Sequence, residues 1–260
     1  MTGLTLALWQ GAGVPGDLPA TLAEVARIAQ RAAGQGADLL VFPEGFLTGY
    51  HIPGLAPGDL SDVEDALAGV GRIAADAGLT LVLGTHLQEG AVLRNSAVVF
   101  APTGAEIGRY HKRALFGGWE KATFAPGAAP VDFECAGLRV GVLICYDVEF
   151  PELVRAYARA GTDLVVVPTA LMAPHEQVPR LIVPARAVEN QIFVGYANRT
   201  GAEPGLDFLG LSRICGPRGE VLAEAAAEPL LLIARIDPER IAEERAESSY
   251  LEDLRALQGL

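Results

Sequence analysis

The 260-residue sequence is poor in basic charge and has no long hydrophobic run. Thirty-two acidic residues outweigh twenty basic ones and give a formal net charge of −12, which argues against binding to nucleic acid or to an anionic membrane. No run approaches the ~18 apolar residues of a transmembrane helix, so no membrane span is predicted. The N-terminal segment MTGLTLALWQ lacks a basic stretch before its apolar run and is typical of a strand, not of a signal peptide.

Cysteine, histidine and lysine are also scarce. The three cysteines are odd in number and have no CxxC or Cys/His ligand spacing, and the four histidines are scattered. These patterns argue against a disulfide framework and a zinc site, so we expect no metal and a cytoplasmic protein. The only two lysines, Lys112 and Lys121, lie close together, whereas all other basic residues are arginines. Because arginine cannot replace a compact ammonium group, this departure points to chemistry.

Short apolar runs alternate with amphipathic stretches, which is the pattern of an α/β fold. We expect a single domain over residues 1–260 that ends in a polar arm at about 246–260. The predicted strands are Leu4–Trp9, Asp38–Phe42, Thr80–Gly84, Asn95–Phe100, Leu138–Ile144, Asp163–Val167, Ile192–Ala197, Gly210–Cys215, Glu220–Ala223 and Leu230–Ile236. The predicted helices run from Leu18 to a stop at Gly34, over Asp59–Ala77, Pro151–Ala160 and Val178–Asn190, and onward from Asp237-Pro238. Tyr110–Pro130 is predicted to be a long loop.

Three residues with reactive side chains follow predicted strands, where α/β proteins place their sites. Glu44 follows the run DLLVFP, Lys112 lies in RYHKR, and Cys145 ends the run RVGVLIC. A thiolate at a strand end before a helix can be exposed and have a lowered pKa. Taken singly, each residue also fits an ordinary role, as a buried thiol or a surface charge. Together, a nucleophile, a carboxylate base and an ammonium group form a set suited to acyl transfer.

Five sequence blocks resemble those of the nitrilase superfamily of carbon–nitrogen hydrolases. FPEGFLTGY (42–50), YHK (110–112) and GVLICYDVEFPE (141–152) are similar to its three signature blocks. EKATFAPG (120–127) and PARAVENQIFVGYANRTG (184–201) are similar to two more. The similarity is collinear over most of the chain. It implies an α/β fold of a particular kind, the four-layer αββα sandwich.

The resemblance also implies a division of labour among the matching residues. Cys145 would attack a planar acyl carbon, while Glu44 would take the thiol proton and return a proton to the departing amine. Lys112 and the backbone N–H of Tyr146 would stabilise the oxyanion. Glu120 would hydrogen-bond Lys112 or orient the substrate amide nitrogen and the attacking water. Hydrolysis of the thioester then gives carboxylate and ammonia without any metal or organic cofactor.

Two short segments bear on the branch of the superfamily. Many members have Lys-x-His-Leu-Phe, whereas this chain has Ala114 at the histidine position and so lacks a local support for Lys112. Nitrile-cleaving members usually have Cys-Trp-Glu, whereas this chain has Cys145-Tyr146-Asp147. The latter resembles the amidase and carbamoyl-hydrolase branches. Within these branches the sequence is similar to small aliphatic amidases, including the 5-aminopentanamide and R-stereoselective types.

The predicted function is therefore hydrolysis of a small aliphatic amide through a cysteine thioester. The alternatives are an N-carbamoyl amine or amino-acid hydrolase, a nitrilase, a non-catalytic oligomeric scaffold and a redox-sensing thiol protein. The expected partner is a small-molecule amide, and the resemblance implies a homodimer or a higher homo-oligomer.

The substrate pocket is predicted from proximity to the signature blocks. The candidate lining residues are Tyr50, Phe116, Trp119, Ala170, Met172 and Asn198. Each aromatic residue and Met172 also fits ordinary core packing. A substrate that bears an amine would require an acidic group, which Asp147, Glu149 or Glu176 can supply.

Overall fold

The computed structural model describes residues 3–257, and its first β-sheet combines strands from both ends of the chain. From edge to edge this sheet contains β14 (Leu230–Ile236), β1 (Leu4–Gln10), β2 (Leu39–Val41), β3 (Thr80–Glu89), β4 (Val92–Phe100) and β5 (Glu106–His111). The strands β1, β2 and β3 are parallel to one another, and the others pair antiparallel. The carboxyl ends of the parallel strands therefore lie on the same side of the sheet, at the strand ends where α/β proteins place their sites.

The second sheet repeats this arrangement with a later part of the chain. From edge to edge it contains β13 (Val221–Glu224), β12 (Arg213–Cys215), β9 (Phe193–Asn198), β8 (Leu164–Thr169), β7 (Leu138–Val142) and β6 (Asp132–Cys135). Its central strands β7, β8 and β9 are parallel. A separate antiparallel hairpin follows β9 and consists of β10 (Thr200–Glu203) and β11 (Leu206–Leu209).

Alternate side chains of β1 enter two different cores. Leu4, Leu6 and Leu8 pack in the core between the two sheets, whereas Ala7 and Trp9 pack on the other face with helical residues. This alternation follows from the two-residue period of a strand. Burial of each leucine side chain contributes roughly 1.5–3 kcal/mol to the free energy of folding. Because both faces of the strand are covered, its sequence is an almost unbroken apolar run.

Helices form the two outer layers. The helices α1 (Leu18–Ala33) and α2 (Val63–Ala77) cover the first sheet, and α4 (Pro151–Arg159) and α5 (Val183–Asn190) cover the second. The remaining helices are α3 (Gly117–Thr123), α6 (Glu239–Glu247) and α7 (Tyr250–Ala256). The predicted four-layer αββα sandwich is confirmed.

Several elements were not predicted from the sequence. The strands β5 and β6 lie at sheet edges and carry charged, exposed side chains. Such side chains prevent an edge strand from pairing with another chain, and they also interrupt the apolar run by which a strand is predicted. The helix α3 lies within the predicted loop Tyr110–Pro130, which is therefore wrong as a structureless segment. The predicted strand Gly210–Cys215 is shorter, because Leu211 has a φ of 58° that interrupts extended backbone.

Two predicted helices also differ from the structure. The stretch Val178–Asn190 begins with a π-helical turn, Val178–Ile182, before α5 starts. Pro184 has no N–H and its ring crowds the carbonyl one turn earlier, which accounts for the wider turn. The predicted arm at about 246–260 contains the helix α7, and residues 258–260 lie outside the described residues.

Within residues 3–257, no helix is both long and apolar enough to cross a membrane.

Candidate active site

Glu44 lies just beyond the carboxyl end of β2 and is fully buried. Its Oε1 accepts hydrogen bonds from Lys112 Nζ and Asn95 Nδ2, both at 2.7 Å. Its Oε2 accepts the backbone N–H of Ala170 at 2.9 Å. Burial raises the pKa of Glu44 above its usual range, and the Lys112 ammonium opposes this shift. A raised pKa brings a carboxylate closer to the value that suits a general base near neutral pH.

Lys112 follows β5 and joins two carboxylates. Its Nζ donates to Glu44 and also to Glu120 Oε1, again at 2.7 Å. Burial alone would lower the pKa of Lys112, but the two carboxylates outweigh it and hold the pKa well above its usual range. The lysine is therefore a permanent, buried ammonium group, placed where preorganised positive charge can stabilise an oxyanion.

Glu120 is held in place by the helix that carries it and by two residues of the pocket. The α3 helix buries its side chain, and Oε1 accepts the Tyr50 hydroxyl at 2.8 Å. Its Oε2 accepts the backbone N–H of Phe116 at 2.6 Å. The predicted hydrogen bond between Glu120 and Lys112 is thus present in the structure.

Cys145 begins a 3₁₀ turn, Cys145–Glu149, after the strand β7. Its φ of 46° is left-handed, a strained conformation for a residue with a Cβ and one that clusters at functional sites. The side chain is only 8% exposed. Burial, reinforced by the Glu44 carboxylate, raises the pKa of the thiol well above its usual range. The expectation of an exposed cysteine with a lowered pKa is wrong, and the thiol needs a base to become a nucleophile.

Asp147 connects the lysine loop, residues 112–116, to the cysteine turn, Cys145–Glu149. It does not line the cavity beside Cys145. Its Oδ1 accepts the backbone N–H groups of Ala114 at 2.7 Å and Arg113 at 3.2 Å. Its Oδ2 accepts the Tyr110 hydroxyl at 2.8 Å and the backbone N–H of Ile144 at 3.0 Å. The segments on either side of Lys112 and Cys145 are therefore fixed to one buried carboxylate.

A cavity of about 230 Å³ opens on Cys145. It is smaller than the ~300–1,000 Å³ of pockets for drug-sized ligands, which suits a small substrate. Its lining residues are Tyr50, Phe116, Cys145, Tyr146, Glu149, Ala170, Leu171, Met172 and His175. Glu44 and Glu120 lie behind this wall and are hydrogen-bonded to three residues that line it: Ala170, Tyr50 and Phe116.

Two residues predicted to line the pocket do not do so. Trp119 packs behind Tyr50, with ring centroids 5.7 Å apart, and forms a T-shaped pair with His51. The Asn198 side chain accepts the backbone N–H of Leu171 at 2.8 Å and donates to the carbonyl of Gly210. Asn198 thus braces the backbone of the cavity wall, a role that no local sequence pattern reveals.

Asn95, whose side chain donates a hydrogen bond to Glu44, was not predicted as a site residue from the sequence. Its only signal is a polar side chain at the start of a predicted apolar strand. His175, which lines the cavity, lies in a segment without a clear pattern. Of the three candidate acidic residues, Glu149 lines the cavity and Glu176 does not.

Residues 3–257 contain no group of three or more potential metal ligands. All three cysteines are buried and free.

Comparison with known proteins assigns the family. Residues 5–246 match the family model described as carbon-nitrogen hydrolase, and the chain belongs to this family. It is 34% identical to an (R)-stereoselective amidase of Pseudomonas sp., over 98% of this chain and 92% of the relative. It is 37% identical to a protein named nitrilase from Pyrococcus abyssi, over 81% of each chain.

A solved structure agrees with the fold in detail. The crystal structure of an amidase from Nesterenkonia sp. superposes with a TM-score of 0.86 at 38% identity and covers 95% of each chain. In another structure, a glutamate-to-glutamine variant of that amidase carries the acetamide moiety of fluoroacetamide on its active-site cysteine. That second structure has a TM-score of 0.85, also at 38% identity and 95% coverage of each chain.

Proposed function

We propose that the protein hydrolyses a small aliphatic amide to a carboxylate and ammonia through a thioester on Cys145. The observation that carries the proposal is the buried cluster of Glu44, Lys112 and Glu120 directly behind the cavity onto which Cys145 opens. The amidases among its relatives support the same reaction, and the covalent adduct on the cysteine of one amidase supports a nucleophilic cysteine.

The geometry supports a role for each group. The thiol has a raised pKa, so Glu44 removes its proton as the sulfur attacks the amide carbon. Lys112, together with the backbone N–H of Tyr146, stabilises the negative charge that develops on the substrate oxygen. The protonated Glu44 then returns the proton to the departing nitrogen, which leaves as ammonia.

The second half of the reaction uses the same groups. Glu44 takes a proton from a water molecule, which attacks the thioester carbon, and protonated Glu44 then returns a proton to the departing sulfur. The thiol is thereby restored, and the released acid ionises to the carboxylate. Glu120 is bonded to Lys112 and to Tyr50, and we infer that it keeps the ammonium group in position and orients the substrate nitrogen.

Ammonia release from a panel of short amides, nitriles and N-carbamoyl compounds tests the proposal. The wild type is compared with Cys145→Ala and with Cys135→Ala, which removes a buried thiol that does not line the cavity. We expect short amides to be hydrolysed and only Cys145→Ala to abolish the reaction. Activity that survives Cys145→Ala contradicts the mechanism. Carbon dioxide release from the N-carbamoyl compounds, in preference to amides, favours the carbamoyl-hydrolase alternative.

We further infer a homo-oligomer of one-domain subunits that works in the cytoplasm. Three free cysteines suit a reducing compartment, and the exposed apolar residues Tyr250 and Leu257 at the end of the chain suit contact between subunits. Sedimentation tests the oligomer, and a single species of 27.3 kDa contradicts it.

A further inference from the structure

A buried ion pair outside the catalytic cluster holds both ends of segment 44–51. Arg199 follows β9, is 1% exposed, and donates from Nη2 to Glu203 Oε1 at 2.6 Å. At one end of the segment, Arg199 Nη1 donates to the carbonyl of Gly45 at 2.9 Å and to that of Glu44 at 3.4 Å. At the other end, the Glu203 carboxylate accepts the backbone N–H groups of Tyr50 at 2.9 Å and of His51 at 2.6 Å.

The segment needs such an external hold. Gly45 and Gly49 have φ values of 58° and 91°, in the left-handed region that glycine adopts readily but does not fix. The two ends of the segment carry Glu44, the base, and Tyr50, whose hydroxyl is bonded to Glu120. The ion pair therefore fixes the backbone that orients the catalytic cluster.

Stability alone does not explain why these two residues are charged. Burying an ion pair requires both charges to lose water, and an apolar replacement of similar volume is often neutral or stabilising. An apolar pair, however, can neither donate to the carbonyls of Glu44 and Gly45 nor accept the N–H groups of Tyr50 and His51. The charged pair meets both needs and leaves no net charge beside the catalytic carboxylate.

We propose that Arg199 and Glu203 are positioning residues that hold Glu44 and Tyr50 in place and cancel each other's charge at the base. This inference rests on the proposed amidase function. Neither residue lines the cavity or has an assigned role in the reaction.

The charges around Glu44 define how each substitution acts. The titratable groups that interact with its charge are Lys112, Glu120, Cys145, Tyr50, Tyr196 and Arg199. Glu203→Gln keeps the side-chain shape but leaves the Arg199 charge unopposed, which stabilises ionised Glu44. Arg199→Met leaves the Glu203 charge unopposed, which destabilises ionised Glu44. The two substitutions therefore act on Glu44 with opposite signs.

The test measures the pH profile of kcat/KM with butyramide for the full-length protein. We expect the acid limb of this profile, where kcat/KM rises with pH as Glu44 ionises, to move to lower pH in Glu203→Gln and to higher pH in Arg199→Met. In the double variant Arg199→Met/Glu203→Gln the limb returns toward its wild-type position. In all three variants kcat falls about 10–100-fold, as expected when a base is displaced by a fraction of an ångström to 1 Å.

Arg199→Lys separates charge from geometry, because lysine keeps the charge but carries its donors on one nitrogen and cannot span Glu203 and the two carbonyls as the two Nη atoms of arginine do. We expect its acid limb to stay in place while kcat falls at least tenfold. It also keeps the proposal testable if a neutral variant does not fold. Glu224→Gln is the control for loss of an arginine's acidic partner, since the exposed Glu224 pairs with a buried arginine, Arg213, and neither residue lines the cavity.

The outcomes are distinct. A wild type that hydrolyses none of the amides contradicts the proposed function itself. If the wild type hydrolyses butyramide, the positioning role alone is overturned when the acid limbs of Glu203→Gln and Arg199→Met do not move, or both move in the same direction. Full kcat in Arg199→Lys, or a loss in Glu224→Gln equal to that in Glu203→Gln, also overturns it.

Discussion

Replacing Asp147 with asparagine should weaken the connection between the lysine loop and the cysteine turn. The buried carboxylate accepts four hydrogen bonds, two on each oxygen. Asparagine keeps one oxygen and presents an NH₂ group to the two remaining donors. Two hydrogen bonds to a charged acceptor, at ~1.5–3 kcal/mol each, amount to roughly 3–6 kcal/mol.

Part of this loss is offset. Burial raises the pKa of Asp147, which shows that its charge is costly in this site, and asparagine carries no charge. We therefore expect a net loss of about 3 kcal/mol in the free energy of unfolding, a large share of the ~5–15 kcal/mol that is typical. Because the same bonds place Lys112 and Cys145, kcat should fall with the stability.

Urea unfolding followed by tryptophan fluorescence measures the first quantity, and ammonia release from butyramide measures the second. Tyr110→Phe is the graded control, because it removes one of the four bonds and should cost about 1.5 kcal/mol, the lower end of the range for one bond to a charged acceptor. An Asp147→Asn variant within about 0.5 kcal/mol of the wild type, the range of an ordinary surface change, refutes the reasoning.

Three further predictions concern neighbouring residues. Burial, and after it the Arg199 charge, lowers the pKa of His86 from 6.5 to about 3, so the unfolded chain binds more protons between these values. Stability should therefore fall as pH falls from 6.5 toward 3, by roughly 4 kcal/mol from this group, and the fall should be smaller in His86→Phe when urea midpoints are compared. Glu149 has no hydrogen-bond partner for its carboxylate among residues 3–257, so Glu149→Gln should lower kcat/KM for 5-aminopentanamide relative to hexanamide about tenfold. Glu176→Gln, outside the cavity, should leave that ratio unchanged. In Gly84→Ala the added Cβ would lie 2.6 Å from the Glu44 Cα, so kcat should fall about 10–100-fold without a matching rise in KM.

Glu44, Lys112 and Cys145 could be proposed from the sequence as site residues because they sit at points that the fold brings together. Glu44 and Cys145 each follow a central strand of one of the two sheets, and Lys112 follows the edge strand β5. The order of apolar runs predicted the strand ends before Glu44 and Cys145 but not β5, and the motifs indicated which residues to expect as reactive.

Other properties of the site depend on depth and on distant contacts. The direction of the Cys145 pKa shift depends on how deeply the thiol is buried, which a motif does not encode. The hydrogen bonds of Arg199 and Glu203 to segment 44–51 join residues 152 to 155 positions apart in the sequence, so no local pattern reveals them. Asn198 was predicted to line the pocket because it lies near a signature block, but its amide oxygen accepts the backbone N–H of Leu171 in the cavity wall.

The partition of the acyl group between water and hydroxylamine tests the central claim, a thioester on Cys145, most directly. Butyramide and methyl butyrate carry the same acyl group and differ only in the leaving group. If both pass through one acyl-enzyme, the ratio of butyrohydroxamate to butyrate at a fixed hydroxylamine concentration should be the same for both substrates. A ratio that changes with the leaving group contradicts the account.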